Sequence, residues 1–316
     1  MHAAVLHQFG ATPVYEAFEE PVAGDGQVVV EVAVAGVNPV DVRKASGTFA
    51  SGPPPLPSVV GTEGVGRIAG TGRRVYFDAS VAPFGSYAER TLVREDVPIA
   101  LPDELDDGVA VALGVSGLAG WLPLAWRAQL QPGETVLVLG ATGMVGQIAV
   151  QAARLLGAGR VVAAGRDTEM LARAEQLGAD ATVDLREAGS GADLTAAFRE
   201  AAGGPIDVVH DPLWGAPAAA ALDALGVNGR LIQIGESAGA DATFPSAPIR
   251  GRHIEIRGYT NFAVPLDVRR EGYHALVEHA AAGRIDVELE RIPLADVADA
   301  WERVQRSAHR KLVLVP

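Results

Sequence analysis

The stretch GATGMVG, Gly140 to Gly146, places three glycines three residues apart, between the apolar run TVLVL and the helix-like segment QIAVQAARLLGA. Such spacing does one recognisable job. Gly140 allows a tight turn, Gly143 lets backbone N–H groups approach a pyrophosphate, and Gly146 permits close helix–sheet packing, with the Thr142 hydroxyl as a further donor. The pattern follows a strand, opens a helix and begins a βαβ unit, which predicts a dinucleotide site rather than an ordinary glycine corner. About twenty residues on, an acid at the end of the second strand would mark a cofactor lacking the extra ribose phosphate. Here Gly165 is followed by Arg166, and a guanidinium suits a 2′-phosphate through bidentate, charge-assisted hydrogen bonds. NADPH is therefore expected over NADH, with Asp167 as a helix cap.

The carboxyl ends of the other strands in this unit must face the same crevice. They carry HDPLWG (210–215) and GESAG (235–239). The candidate cofactor contacts are thus Ser116, Gly140, Thr142, Gly143, Met144, Val145, Gly165, Arg166, Asp211, Ile234 and Gly235. No metal is expected. A catalytic zinc needs three protein ligands, the seven histidines form no His-Glu-x-x-His pair, and His210-Asp211 supplies only one imidazole and one carboxylate. Ser116, in ALGVSGLAGW, has no evident base, so a nucleophilic mechanism has no support. Hydride transfer remains, in which the cofactor carries the hard step and the protein orients it. Aromatic residues are scarce, so Phe49, Tyr76, Phe84, Tyr87, Tyr259 and Phe262 are all possible walls of an apolar substrate pocket, and Phe49, Phe84 and Phe262, with Trp214, are taken as the candidates; Trp214 reads equally well as a core residue. Asp41 and Glu63 follow strand-like runs, as anchors of turns or as chemistry.

Two kinds of element must position these residues. The first third reads as short β segments at 28–37, 65–70, 73–79 and 86–93, separated by turn signals such as GPPPLP and AGTG. The segment ASGTFASGPPPLPSVVG (45–61) reads as a loop beside a site. Residues 103–126 look helical, with Asp103 as cap and Pro123 as a break. From 135 onward, near-continuous apolar strands alternate with helices, which predicts a parallel sheet covered on both faces. Residues 254–260 look like a further strand, 268–282 like a helix, and the tail ends in KLVLV. That tail is expected to pair back onto the first third. The fold class expected is α/β, a Rossmann doubly wound parallel sheet inserted between two pieces of one β-rich domain. Its expected divisions are 1–120 for the first part of the catalytic domain, 121–253 for the cofactor domain, and 254–316 for a return strand and the C-terminal part.

With 316 residues, the chain is long enough for two domains with real cores. Its net charge of -13 opposes nucleic-acid binding, which collects positive charge. There is no cysteine, so disulfides and Cys-ligated zinc are excluded. The opening MHAAVLHQFG lacks the basic and apolar blocks of a signal peptide, and no membrane span is expected. A cytoplasmic location is the default expectation.

Taken together, GVNPVDVRKASGTF (36–49), GTEGVG (61–66), FGSYAER (84–90), ALGVSGLAGW (112–121), the 140–146 loop, GRLIQIG (229–235) and the terminal KLVLV resemble the zinc-independent quinone oxidoreductase branch of the medium-chain dehydrogenase/reductase superfamily. The resemblance covers essentially the whole chain. It implies a GroES-like catalytic domain built from both ends of the chain and enclosing the Rossmann domain, NADPH-dependent hydride transfer to a quinone or activated enone, a small apolar carbonyl or quinone as substrate, and a homodimer. Carbonyl reduction and a low-turnover NADPH-binding role of crystallin or regulatory type are the alternatives. The metal-using branch has Cys, His and Cys where this chain has Asn38, Thr62 and Leu113. Asn38 and Asp41 match a segment whose side chains organise the site near the nicotinamide ribose and are the candidate catalytic pair. Lys311 matches the branch's lysine in its last strand and is taken on that ground as a further cofactor contact, or is a terminal surface charge. Three departures stand out. Thr142 and Met144 replace the usual alanine and glycine, Phe49 replaces a tyrosine, and the link in GRIAGTGRRV is short.

Overall fold

The computed structural model describes residues 1–49 and 52–316. Residues 50 and 51, inside the stretch read as a loop at 45–61, lie outside the described residues. The chain forms two compact units, one of residues 1–115 with 277–316 and one of residues 116–276.

The first unit is β-rich. A three-stranded antiparallel sheet pairs β1 (His2–Leu6) with β2 (Val14–Ala17) and with β4 (Ser58–Val59). A second sheet is organised on β3 (Gln27–Gly36), which runs beside β5 (Glu63–Ile68) along one edge. Its other edge pairs first with β7 (Arg90–Arg94) and then, near Gly36, with a strand from the far end of the chain. Beyond β5 come β6 (Arg74–Phe77) and β8 (Ile99–Ala100). A short helix, Pro39–Ala45, follows β3 directly. Proline at its first position loses no hydrogen bond there and presets the helical φ. Strands β1 and β2 leave little mark on the sequence, because β2 (VYEA) is largely exposed and lacks alternation.

A helical run, Asp107–Ala128, carries the chain onward. Its cap is Asp106, whose carboxylate accepts from the Val109 N–H at 3.1 Å, and not the expected Asp103. Pro123 does not break the run either. It opens a π-helical turn with φ of -56°, where its missing N–H is tolerated. Gly114 takes the non-helical ψ of -113° instead. Among the described residues this is one run long and apolar enough to cross a bilayer by length and composition; 83% of its most apolar window is buried inside the protein, as in a core helix.

The second unit holds a six-stranded parallel sheet in the order β11-β10-β9-β12-β13-β14. The strands are β9 (Thr135–Leu139), β10 (Arg160–Gly165), β11 (Ala181–Asp184), β12 (Ile206–Asp211), β13 (Leu225–Gln233) and β14 (Glu255–Gly258). Val136, Leu137, Val138 and Leu139 are all fully buried, as expected for a strand covered on both faces. This is the Rossmann sheet expected from the sequence. Its extent differs from the expected 121–253. Strand β14 continues the sheet beside β13, and Gly272 in the helix Leu266–Ala281 sits so close to Leu122 that a Cβ there would lie 2.7 Å from Leu122 Cδ2. Residues 254–276 therefore belong with the cofactor unit.

The chain then returns. β15 (Leu289–Pro293) and β16 (Lys311–Val315) pair in parallel, and β16 lies antiparallel to β3 with Val313 opposite Gly36. The tail thus closes onto the first third, as its sequence had implied.

Candidate active site

In the first unit, the end of β3, the helix that follows it, the start of β5 and the start of β16 bring together a buried polar cluster. Lys311, only 2% exposed, donates from Nζ to Asn38 Oδ1 and to Glu63 Oε1, both at 2.7 Å. Asn38 Nδ2 donates to the same Glu63 oxygen at 2.8 Å. The other Glu63 oxygen accepts from Tyr76 OH at 3.0 Å and from the Val115 N–H at 2.6 Å. A fully desolvated carboxylate is tolerated here because four donors surround it. Two glycines make the room. A Cβ on Gly36 would lie 2.5 Å from Glu63 Oε1, and one on Gly114 would lie 2.3 Å from both Glu63 Oε2 and Tyr76 OH.

Asp41 forms a second focus one helical turn on. Its Oδ2 accepts from the Asn38 N–H and from Tyr87 OH, each at 2.8 Å. Burial pushes its carboxyl above the usual range, opposed by hydrogen bonds from Thr62 and Tyr87 and by the charge of Lys44. Burial, reinforced by the Asp41 charge, pushes the Tyr87 phenol well above its ordinary value. Lys44, in the last turn of the same helix, donates to Thr62 Oγ1 at 3.1 Å, and its Nζ stands 5.7 Å from the centre of the Phe49 ring. Desolvation pulls the Lys44 ammonium below the ordinary lysine value, opposed by the carboxylates of Asp41, Asp78 and Glu63.

In the second unit the glycine loop follows β9, the strand at which the chain turns from one half of the sheet to the other. Ligands of open parallel sheets bind at this switch point, beyond the carboxyl ends of the strands. Gly140 has φ of +62°, which glycine adopts without penalty. A Cβ on Gly146 would meet Gly140 O at 2.3 Å, and one on Gly165 would meet Thr142 Cγ2 at the same distance. Those two glycines are demanded by packing. Gly143 is different. Its φ is -86°, and a Cβ there would touch only Gly140 O, at 3.6 Å. The fold itself does not require glycine at this helix N-terminus, whereas a pyrophosphate drawn against the backbone does. The loop therefore fits the phosphates of a dinucleotide.

The neighbouring strand ends supply the remainder. Gly165 is buried, Arg166 is exposed, and Asp167 caps the next helix by accepting from the Met170 N–H at 3.0 Å. Asp211 is fully buried at the end of β12, and its Oδ1 accepts from the N–H groups of Leu213 and Trp214 at 2.9 Å each. Burial pushes its carboxyl up to about 6. Beside it, burial pushes His210 down to about 4, with Nε2 2.9 Å from Ala119 O. Trp214 has φ of +60° and meets Phe244 edge-on with ring centres 5.2 Å apart. Ile234 and Gly235 follow β13, with the Ile234 N–H bonded to Asp211 O at 2.8 Å.

The candidates thus fall into two groups. Asn38, Asp41 and Lys311 converge in the first unit. Gly140, Thr142, Gly143, Met144, Val145, Gly165, Arg166, Asp211, Ile234 and Gly235 line the strand ends in the second, where Ser116 is buried in the helical run. The alternative of a surface charge at Lys311 is overturned, since strand pairing draws it into the core. Phe84 is buried against Phe18, rings 6.1 Å apart and edge to face, which gives it a packing role. Phe49 is half-buried and Phe262 is 39% exposed. Lys44 was not singled out as a site residue by the sequence, Tyr76 and Tyr87 were no more than possible pocket walls, and Glu63 was left open between anchor and chemistry. Strands β5 and β6 are buried along most of their length, which takes Glu63 and Tyr76 into the interior, but a single chain offers no sign that such positions are polar partners. Among the described residues no group of three or more His, Asp or Glu side chains is arranged to hold a metal ion.

Residues 24–103 match the family of the alcohol dehydrogenase GroES-like domain, and residues 145–279 match that of zinc-binding dehydrogenases. A phenolphthiocerol/phthiocerol polyketide synthase subunit of Mycobacterium tuberculosis is 30% identical over 305 residues, 92% of this chain but 13% of that protein. The chloroplastic NADPH-dependent alkenal/one oxidoreductase of Arabidopsis thaliana is 31% identical over 179 residues, 52% of this chain and 46% of that protein. The match thus spans less than half the length of either of these two relatives. The solved quinone oxidoreductase of Thermus thermophilus, described with its complex with NADPH, superposes with a TM-score of 0.80 at 31% identity and covers all of both chains.

Proposed function

This chain belongs to the quinone oxidoreductase branch of the medium-chain dehydrogenase/reductase superfamily, and from that premise we propose that it is an NADPH-dependent oxidoreductase acting on a quinone or the C=C bond of an activated enone, without a metal. The observation that carries the reading is the glycine loop at the switch point, where Gly143 alone of the three is spared by packing. NADPH, when bound, supplies a hydride to the electrophilic carbon of the conjugated acceptor. The backbone N–H groups of Met144 and Val145 would hold the pyrophosphate, with the Thr142 hydroxyl beside them. Arg166 would take the 2′-phosphate as a bidentate partner. Asn38 and Asp41 organise the catalytic unit: Asn38 is fixed by Lys311 and Glu63, and Asp41 by Tyr87 and the Asn38 N–H.

Conjugated acceptors are favoured over isolated carbonyls on electrostatic grounds. Reduction of an isolated C=O concentrates charge on one oxygen, which a bound metal meets best, whereas conjugation spreads that charge and lowers the demand on the protein. Asn38, Thr62 and Leu113 offer no thiolate or imidazole to hold a zinc ion. The relatives named above carry NADPH, alkenal/one and quinone chemistry in their own names, in line with this reading. A cytoplasmic homodimer is part of the same proposal.

An NADPH-oxidation screen across quinones, enones and simple aldehydes, with product identification, tests the reaction. Turnover of quinones or enones with saturated or hydroquinone products is expected; tight NADPH binding with no turnover anywhere would overturn the enzymatic reading. For the cofactor, NADPH is expected to bind more tightly than NADH, and Arg166→Ala is expected to erase that preference. A parent that prefers NADH would refute the assignment.

A further inference from the structure

Resting on the proposed reduction of a conjugated acceptor, we propose that Lys44 is the proton source of the reaction, its ammonium neutralising the oxyanion left on the substrate, with Thr62 as the residue that positions it. The balance requires one proton. A hydride brings two electrons and one hydrogen nucleus to the acceptor, which becomes an enolate or a hydroquinone anion. One proton is still owed. The Lys44 Nζ–H bond breaks, an O–H bond forms at the oxyanion of the enolate or of the hydroquinone anion, and the neutral amine regains a proton from solvent.

The other acids of the catalytic unit are committed elsewhere. Tyr87 OH donates to Asp41 Oδ2, and burial together with that carboxylate holds its proton far more tightly than usual. Tyr76 OH donates to Glu63. Lys311 is sealed in the core with Asn38 and Glu63. The aromatic residue beside the cluster, Phe49, has no hydroxyl to offer.

Lys44 has partners of its own, Thr62 Oγ1 among them, but it is not sealed in the core. It is half-buried, so one side reaches water while Nζ stands between the Thr62 hydroxyl and the face of Phe49, a candidate pocket wall. The groups that face it are Asp41 on its own helix, Thr62 and Glu63 at the start of β5, and Asp78 after β6. Desolvation outweighs those carboxylates and lowers the affinity of Nζ for its proton. A general acid is most effective when its pKa lies near the working pH, and such groups contribute about 10²–10⁴ in rate.

Competitive acetylation of lysine amines in the protein without cofactor, followed by peptide mass spectrometry across pH, reads Lys44 directly. Its amine is expected to titrate below that of an exposed lysine in an added reference peptide, because Lys311, the only other lysine of the chain, is sealed in the core; ordinary lysine behaviour at Lys44 would overturn the proposal whatever the enzyme does. With an enone and NADPH, Lys44→Met and Lys44→Arg are each expected to lower kcat/KM by about 10²–10⁴. The parent should lose activity as pH rises through the Lys44 titration, a limb absent from Lys44→Arg, which retains a cation that does not release its proton. Thr62→Val should lower the rate and Thr62→Ser restore it. Folded variants with the parent's rate and pH profile would overturn the role of Lys44 and leave the reductase reading standing. A parent inactive on every quinone and enone would overturn both.

Discussion

Glu63 and Lys311 form an ion pair in the core of the first unit, 0% and 2% exposed respectively. Removing one member leaves a buried charge without compensation, a loss of about 3–5 kcal/mol. Lys311→Met is accordingly expected to lower the urea midpoint sharply, and Lys311→Met combined with Glu63→Gln to recover much of the loss. If the single variant unfolds like the parent, the pair has no structural weight. The adjacent residues His210 and Asp211 make a second case, because burial moves them in opposite senses. Asp211 rises from 3.8 to about 6, so its contribution is present below about 4 and is lost as pH climbs through 6. His210 falls from 6.5 to about 4, so its contribution is present above 6.5 and is lost as pH drops toward 4. The two slopes oppose each other across the same window. Asp211→Asn should therefore steepen the fall of Tm between pH 6 and pH 4, and His210→Gln should make Tm rise on acidification, as read by calorimetry. Unchanged pH profiles would show that neither group titrates as its surroundings dictate.

At the scale of elements, the glycine loop separates packing from binding. Gly146→Ala places a methyl 2.3 Å from a backbone carbonyl and should cost about 1–3 kcal/mol of stability. Gly143→Ala meets nothing closer than 3.6 Å, so it should leave Tm nearly unchanged while weakening NADPH binding by tenfold or more, measured by calorimetric titration. Equal affinities for parent and Gly143→Ala would refute the cradle. This loop and the strands behind it were readable in the sequence, because continuous apolar runs and glycine spacing are local signals. The helix cap at Asp106 and the passage of helix through Pro123 were not, since neighbouring acids compete for the cap and proline is tolerated at the opening of a turn. Strand β14 was visible as a strand, but its partner was not; its place beside β13 depends on packing distant in sequence. The catalytic cluster was half legible. Asn38 and Asp41 stand in one short segment, whereas Tyr76, Tyr87 and Lys44 enter only through strand register and helix direction.

For the molecule as a whole, the proposed homodimer has a natural test in β14, the last strand of its sheet. Its Ile256 is 40% exposed, and Val227 on β13 is 66% exposed. An unprotected strand edge is a template for pairing with another chain. Light scattering is expected to give a dimer for the parent and a smaller species for Ile256→Lys; a monomeric parent would remove the dimer from the proposal. The return of the tail to β3 carries a different consequence, one of timing. Asn38 and Lys311 lie 273 positions apart. At ribosomal rates of about 5–20 residues per second, Asn38 and Glu63 wait roughly ten to fifty seconds for the ammonium that completes their cluster. Throughout that interval the nascent first unit carries an unneutralised carboxylate and an open strand edge at β3, and before the interval ends the second unit already has every strand of its own sheet. A ribosome-stalled chain ending before β16 should therefore show a protease-resistant second unit tethered to a still-cleavable first one.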